Sequence, residues 1–211
     1  MTKAYMFDMD GTIIDSMGYF AEGMLSILDE EGIDYPEDIM NVITPLGLEK
    51  TAEYYIAMGV RGTKEEIIAR MAEKFIRLYS EVITLKPYVK EYLSKLREAG
   101  KPLYLLTASP HITVDACLKA NGIFDWFNEV WSTDDFSLSK SSPEIFLRAA
   151  ERIGCAPEEI KYFEDNIIAL ANADKAGLDT VGVYDEHYNI PEKEVAACCN
   201  TYIHSFKEVM L

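Results

Sequence analysis

The sequence has no long hydrophobic run and comparatively few basic residues. No apolar segment approaches the roughly 18 residues of a membrane-spanning helix, so we expect no membrane span or membrane partner. The apolar stretch at 4–7 is too short for a signal peptide and leads directly into acidic residues. Lys and Arg number 20 against 36 Asp and Glu, and a net charge of −16 predicts no nucleic-acid partner.

The four cysteines form neither a metal-binding nor a disulfide pattern. Cys117, Cys155 and the adjacent pair Cys198 and Cys199 contain no C-x-x-C motif, and none lies near a histidine at zinc-ligand spacing. We therefore expect four reduced thiols in a cytoplasmic protein. The sequence gives no indication of an oligomeric state.

Short strand patterns alternate with helical patterns along most of the 211 residues. Strands are predicted at 3–7, 102–106, 129–131, 160–163, 180–183 and 202–203, and helices at 89–99, 112–120, 144–153 and 166–176. This alternation is typical of a parallel sheet that is covered by helices on both faces.

Residues 15–86 interrupt this alternation. They contain almost no strand pattern, and helical patterns occur at 17–30, 36–42, 48–58 and 64–83. The sequence therefore predicts an α/β core domain (1–14 and 87–211) with an inserted helical domain (15–86). An insert after the first strand lies over the crevice where such sheets bind ligands, so it is a candidate lid. A packing domain with no part in the reaction is the alternative.

Two carboxylates one residue apart end the first predicted strand. Asp8 and Asp10 lie in the run Ala-Tyr-Met-Phe-Asp-Met-Asp-Gly-Thr, and acids this close repel each other unless a proton or a cation neutralises them. An ordinary turn also explains Asp-x-Asp-Gly. A calcium loop does not fit, because Gly11 comes too early and Tyr19 stands where such a loop needs glutamate. The pair predicts a metal-dependent site if other strand ends supply partners.

The second strand is followed directly by Thr107, Ala108 and Ser109. A hydroxyl and backbone amides at a strand-to-helix turn can hold a phosphate. Ser109 can equally serve as the N-cap of the next helix.

Two further strand ends carry charged residues. Lys140 lies in the loop before Pro143, where it can neutralise a phosphate or a carboxylate, although a solvated loop lysine is the alternative. Glu164 and Asp165 follow the fourth strand, and paired carboxylates suit Mg²⁺.

The order of acid pair, hydroxyl, lysine and acid pair, each after an apolar strand, resembles the haloacid dehalogenase-like (HAD) superfamily over nearly the whole chain. The run from Asp8 to Thr12 resembles the first motif of that superfamily, Thr107 the second, Lys140 the third, and Glu164 with its neighbour the fourth. The resemblance implies a Rossmann-like parallel sheet core with helices on both faces and an inserted all-helical C1 cap. The chain is most similar to the phosphoglycolate phosphatase and β-phosphoglucomutase branch.

The chain departs from the pattern of the superfamily at three places. Ser139 replaces the usual Gly before the motif lysine, and Ser141 replaces the Pro after it. The Pro-Gly common at the return from the cap is Pro87-Tyr88 here. None of these positions carries a reacting atom, although the loop shape decides where the lysine ammonium lies.

The resemblance also implies roles. Asp8 would be the nucleophile that forms an aspartyl-phosphate, and Asp10 the general acid–base residue. Mg²⁺ would be bound by Asp8, the carbonyl of Asp10 and Asp165, with Glu164 assisting directly or through water. The implied phosphate-binding residues are Gly11, Thr107, Ala108 and Lys140.

These residues favour a Mg²⁺-dependent phosphatase acting on a small phosphorylated metabolite. The members of the superfamily that act as dehalogenases need neither an acid at the position of Asp10 nor magnesium, so the resemblance favours phosphate chemistry. A sugar-phosphate mutase is the alternative, but Phe20 stands where such mutases carry a His, and Lys50 is the only cation in the loop where they carry an Arg. A catalytically silent phosphate-binding protein is a third possibility. A receiver domain fits poorly because of the long insert.

Two features have an open role. His111 closely follows the second motif and is a candidate for a substrate contact, although it is not assigned a catalytic role. The loop 44–47 is either a substrate-selecting loop or a plain connector between helices.

Overall fold

The computed structural model describes residues 1–43, 46–187 and 190–210. Its strands are β1 (Ala4–Phe7), β2 (Leu103–Thr107), β3 (Glu129–Ser132), β4 (Ile160–Glu164), β5 (Asp179–Val183) and β6 (Thr201–Ile203). They form one sheet in the order β3-β2-β1-β4-β5-β6, and every neighbouring pair is parallel. The predicted α/β fold with a Rossmann-like parallel sheet is therefore confirmed.

Nine α-helices lie in the described part of the chain. They are α1 (Met17–Glu31), α2 (Ile39–Ile43), α3 (Gly47–Met58), α4 (Lys64–Arg77), α5 (Val89–Glu98), α6 (His111–Ala120), α7 (Pro143–Ile153), α8 (Ile167–Lys175) and α9 (Glu192–Ala196). None of these helices combines the length and the apolar character needed to cross a bilayer.

The sheet has a hydrophobic cluster on each face. Successive side chains of a strand point to opposite faces, so Tyr5 and Phe7 of β1 pack in one cluster while Ala4 and Met6 pack in the other. The first cluster also contains residues of α5 and α6, and the second contains residues of α7 and α8. Burial on both faces is the reason that the strands read as continuous apolar runs.

Helices α1 to α4 form a separate cluster between β1 and β2. Its buried members include Met24 of α1, Tyr55 of α3 and Met71 of α4. The start of α4 is a capping box, because the Thr63 hydroxyl accepts the Glu66 amide and the Glu66 carboxylate accepts the Thr63 amide. This part of the chain is all-helical, as predicted.

The predicted helix over 64–83 differs from the structure in one respect. The α-helix ends at Arg77, and a π-helical segment, Leu78–Val82, continues it. The wider turn inserts an extra residue into the helical register, and the Ile83 amide donates to the Leu78 carbonyl at 2.9 Å. As a result, Tyr79 packs in a cluster of the sheet and not in that of α1 to α4.

Two chain segments connect the sheet to α1–α4, and they lie side by side. Ile14 pairs with Leu85 in an antiparallel bridge, and the Lys86 amide donates to the Ile13 carbonyl at 3.0 Å. The predicted boundaries at 15 and 86 fall at these segments. The division into two domains stays a prediction.

Candidate active site

The carboxyl ends of β2, β1 and β4 lie next to one another at one edge of the sheet. The strand β1 lies between β2 and β4, and the Asp8 amide continues the pairing by donating to the Phe163 carbonyl at 2.9 Å. Thr107 and Glu164 are the last residues of their strands, one position later than predicted. This edge is the place where open α/β sheets bind ligands.

Three buried carboxylates meet at this edge. Oxygens of Asp8, Glu164 and Asp165 all lie within 4.8 Å of one another. The Lys140 ammonium donates to Asp8 and, at 2.9 Å, to Glu164 Oε2. Lys140 is thus an ion-pair partner of two acids and not a solvated loop lysine.

Burial dominates the proton affinity of these groups. It raises the pKa of Asp8 to about 7, with further contributions from the charges of Glu164 and Asp10, while the charge and the hydrogen bond of Lys140 act in the opposite direction. Burial, together with the charges of Glu164 and Asp8, raises the pKa of Asp165 well above its ordinary value. Burial lowers the pKa of Lys140, but the charges of Asp8 and Glu164 more than offset this and raise it above the ordinary value.

These three carboxylates fit a hard divalent cation. They share one ammonium, so negative charge is in excess in a buried volume, and a cation relieves the repulsion that raises the pKa of Asp8 and Asp165. All donor atoms of the group are oxygens, as Mg²⁺ prefers. Glu164 accepts three hydrogen bonds. Its Oε2 accepts from both Tyr162 and Lys140, and its Oε1 accepts from the Asn166 amide.

The second acid of the pair, Asp10, is half-buried and lies between two hydroxyl groups. The Tyr79 hydroxyl donates to Asp10 Oδ1 at 2.5 Å, and the Ser109 hydroxyl donates to Asp10 Oδ2 at 2.7 Å. Burial and the Asp10 charge raise the pKa of Tyr79, so it remains a neutral phenol that can donate. Asp10 is therefore held differently from Asp8, which contacts an ammonium.

Ser109 and Tyr79 were not predicted as site residues. A serine before a helix suggests a cap, but α6 begins at His111 with Pro110 as its N-cap, and the Ser109 hydroxyl turns to Asp10. Tyr79 lies within the helical pattern at 64–83, where its spacing leaves packing and ligand contact equally open. The sequence signal for Ser109 is its position two residues after Thr107, whereas the π-helical segment that directs Tyr79 has no sequence signal.

A cavity of about 330 Å³ opens above these groups. Its lining includes Asp8, Asp10, Met17, Thr107, Ala108, Ser139, Lys140, Ser141, Glu164, Asp165, Asn166, Ile168 and Ala169. Met17 opens α1, Ile168 and Ala169 lie in the first turn of α8, and the other lining residues belong to the strand ends and the loops beside them. The predicted acids, Thr107, Ala108 and Lys140 therefore face one small volume.

Gly11 lies against the fourth motif. Its φ is +72°, and a Cβ atom at this position would stand 2.5 Å from Asp165 Oδ2. The turn at Gly11 thus approaches Asp165 so closely that a side chain at this position would collide with its carboxylate.

Other residues singled out in the sequence lie elsewhere. His111 Nε2 lies 2.8 Å from Asp135 Oδ2 and is not among the residues that line the cavity. Phe20 packs against Phe75 with tilted rings whose centroids are 5.6 Å apart, and Lys50 is exposed. In the predicted loop 44–47, residues 44 and 45 lie outside the described residues.

A second group of possible ligands lies beside the two connecting segments. Oxygen or nitrogen atoms of Asp15, Asp185 and His187 lie within 4.8 Å of one another. The buried Asp185 carboxylate pairs with the Lys86 ammonium at 2.8 Å, so this group already contains a cation.

Comparison with known proteins identifies the family. The family model described as haloacid dehalogenase-like hydrolase matches residues 5–183. Pyrophosphatase PpaX of Bacillus velezensis is 31% identical over 183 residues, which cover 85% of this chain and 82% of the relative. Phosphoglycolate phosphatase of Shigella boydii is 28% identical over 220 residues, covering 92% of this chain and 87% of the relative.

A solved structure gives the same result. A candidate β-phosphoglucomutase from Thermotoga maritima matches with a TM-score of 0.82 and 25% identity, covering 96% of this chain and 94% of that one. The predicted branch and enzyme class, a phosphatase, are confirmed by these similarities. The chain belongs to the haloacid dehalogenase-like hydrolase family.

Proposed function

We propose that the protein is a Mg²⁺-dependent phosphatase that hydrolyses a small phosphorylated metabolite through an aspartyl-phosphate on Asp8. One observation carries the proposal. The buried Asp8 carboxylate contacts the Lys140 ammonium and lies within 4.8 Å of oxygens of Glu164 and Asp165, and Asp10 lines the same cavity. A nucleophile, a source of neutralising charge and a second acid are what phosphoryl transfer through a carboxylate needs.

The reaction has two steps that the chain's own residues carry out. An Asp8 oxygen attacks phosphorus, the phosphorus–oxygen bond to the alcohol breaks, and Asp10 gives its proton to the departing oxygen. Water then attacks phosphorus and gives a proton to Asp10, and the bond to Asp8 breaks. Lys140 neutralises the Asp8 carboxylate before its attack in the first step and again as it departs from phosphorus in the second.

Mg²⁺ would be held by Asp8, the Asp10 carbonyl and Asp165, and when bound it supplies positive charge to the phosphoryl oxygens. Glu164 suits a supporting role, through Lys140 or a water molecule, because both of its oxygens already accept hydrogen bonds. Thr107 and the amides of Gly11 and Ala108 would hold the phosphoryl oxygens.

The cavity supports a small substrate whose organic part is uncharged. Lys140 is the single cationic side chain among the lining residues, and it is already paired with two carboxylates. A substrate with a second anionic group would find no cation among these residues, whereas Met17 and Ile168 offer apolar contact. A panel of sugar and polyol phosphates, phosphoglycolate and pyrophosphate ranks these classes, and we expect the neutral sugar and polyol phosphates to be preferred.

Mutase activity is the second candidate, because the structural match to a candidate β-phosphoglucomutase covers nearly the whole chain. Phe20, packed on Phe75, takes the place of the mutase His, which favours hydrolysis. Release of inorganic phosphate without a bisphosphate activator supports the phosphatase, and return of an isomerised sugar phosphate supports the mutase.

The decisive test of the proposal is Asp8→Asn. With Mg²⁺ and p-nitrophenyl phosphate, turnover should fall by at least about a thousandfold while the thermal midpoint stays near that of the parent protein. Asp38→Asn, which changes an exposed acid that does not line the cavity, is the matched control. Near-normal activity of Asp8→Asn refutes the assigned nucleophile, and failure of the parent protein on the whole panel favours a silent phosphate-binding protein.

A cytoplasmic location is part of the proposal. All four cysteines are free thiols, as expected in a reducing compartment.

A further inference from the structure

We propose that Tyr79, together with Ser109, is a positioning residue that fixes the orientation of the Asp10 carboxyl group for proton transfer. The inference rests on the proposed phosphatase reaction. It adds to that reaction a contribution from the π-helical segment Leu78–Val82, which no motif of the sequence indicates.

The contact set of Asp10 is the first argument. Each of its two oxygens accepts one hydrogen bond, Oδ1 from Tyr79 at 2.5 Å and Oδ2 from Ser109 at 2.7 Å. Two hydroxyls on opposite oxygens fix the plane of the carboxyl group. A carboxylate oxygen has two lone pairs, so each oxygen can still meet the departing group or water without losing its hydrogen bond.

The second argument is the rigidity of Tyr79. The residue is 7% exposed, and its ring packs in the cluster that also contains Ile14, Val114 and Cys117. The π-helical segment sets the direction of the ring, and such segments are frequent at functional sites. A rigid ring holds its hydroxyl at one point, so Asp10 has a fixed partner.

Ser109 is likewise fixed by the chain around it. Its amide donates to Thr107 Oγ1 at 3.0 Å, directly at the end of β2. The two hydroxyls that hold Asp10 therefore come from separate parts of the molecule, one from the sheet edge and one from the helical insertion. A productive Asp10 orientation then requires both parts to be in the arrangement seen here.

The alternative is that Asp10 merely accepts the hydrogen bond that the buried Tyr79 hydroxyl needs, with no effect on catalysis. The two accounts differ in their dependence on the leaving group. An alkoxide needs a proton from Asp10 as the phosphorus–oxygen bond breaks, whereas p-nitrophenolate departs without one. A positioning role therefore affects alkyl phosphates selectively, and a purely structural role affects both substrates equally.

The test compares kcat/KM of Tyr79→Phe for p-nitrophenyl phosphate and for the best alkyl phosphate of the panel. We expect about a tenfold loss or more for the alkyl phosphate and less than about a twofold change for the aryl phosphate. Ser109→Ala should show the same selectivity, and it provides a second variant if Tyr79→Phe folds poorly. Tyr55→Phe is the matched control, because it removes another buried hydroxyl hydrogen bond, to the Met24 carbonyl at 2.7 Å, in the separate cluster of α1 to α4.

Asp10→Asn separates this inference from the proposed function. In one outcome, Asp10→Asn loses activity selectively on the alkyl phosphate while Tyr79→Phe and Ser109→Ala do not. That result refutes the positioning role and leaves Asp10 as the general acid. If Asp10→Asn itself shows no selectivity, the general acid assignment fails and the inference fails with it. Equal losses on both substrates in Tyr79→Phe and Ser109→Ala show a structural role only.

Discussion

The Thr12 hydroxyl donates a hydrogen bond to Asp165 Oδ1 across 3.0 Å, although 153 positions separate the two residues. This bond joins the first motif to the fourth, and its donor residue, Thr12, is completely buried. It orients the carboxylate that we propose as a ligand of Mg²⁺. Residues that donate a hydrogen bond to a metal ligand commonly influence the affinity of the site for the metal.

Thr12→Val keeps the shape of the side chain and removes this bond. We expect the Mg²⁺ concentration for half-maximal activity to rise about tenfold, with kcat at saturating Mg²⁺ close to that of the parent protein. Thr51→Val is the control, because the buried Thr51 hydroxyl donates to the Ile43 carbonyl within the helical insertion. An unchanged Mg²⁺ requirement in Thr12→Val argues against Asp165 as a ligand.

Gly11 and Gly32 form a matched pair for the second prediction. Both have a left-handed backbone, with φ of +72° and +65°, but a Cβ at Gly11 meets Asp165 Oδ2 whereas a Cβ at Gly32 meets nothing within 4 Å. Each change to Ala costs about 1 kcal/mol of stability from backbone strain. Gly11→Ala should additionally displace Asp165 and abolish most of the activity, and Gly32→Ala should leave kcat/KM unchanged.

Urea unfolding and phosphatase assays separate the two effects. Equal activity losses in both variants would mean that strain alone is responsible. In that case the close approach of Gly11 to Asp165 has no functional meaning.

Lys140→Met tests the ion pairs with Asp8 and Glu164. Removing one partner from a buried ion pair leaves uncompensated charge, so we expect a loss of about 3 kcal/mol or more in the free energy of unfolding, measured at neutral pH. We also expect kcat to fall by at least about a hundredfold. The control Lys161→Met removes a half-exposed pair with Asp179 and should change stability by less than about 1 kcal/mol.

Much of this site could be predicted because parallel strands place their carboxyl ends at one edge. Asp8, Thr107 and Glu164 each follow or end an apolar run, and the strand order brings them together without any further information. Lys140 comes from a loop, but it joins them because two buried acids attract its ammonium. Their roles in the reaction stay predictions.

The contacts of Asp10 could not be predicted, for a physical reason. Helical periodicity does not decide between packing and ligand contact for Tyr79, and the change from α-helix to π-helix depends on tertiary packing rather than on local propensity. Ser109, in the turn that precedes α6, presents the same difficulty, since a serine at this place suits a helix cap and an active-site hydroxyl equally well. In both cases the deciding partner, Asp10, lies far away in sequence.

The last prediction concerns pH and Mg²⁺. Burial raises the pKa of Asp8 to about 7 and also raises that of Asp165, so without metal the folded state binds protons more tightly than the unfolded chain. The stability that Asp8 contributes is therefore fully present below about pH 4, the ordinary range of an Asp, and is lost as the pH rises through about 7; the contribution of Asp165 has the same sign and is likewise lost as the pH rises. Mg²⁺ binds the ionised carboxylates, so its effect should grow as the protons leave.

We expect millimolar Mg²⁺ to raise the thermal midpoint by several degrees at about pH 8 and by much less at about pH 5. The measurement is differential scanning fluorimetry of the metal-free protein, with NaCl at equal ionic strength to exclude screening of the net charge of −16. In Asp165→Asn the Mg²⁺ effect should be small at both pH values, because one ligand is lost. A Mg²⁺ effect that is independent of pH would mean that the ion binds elsewhere on the acidic surface and not at Asp8 and Asp165.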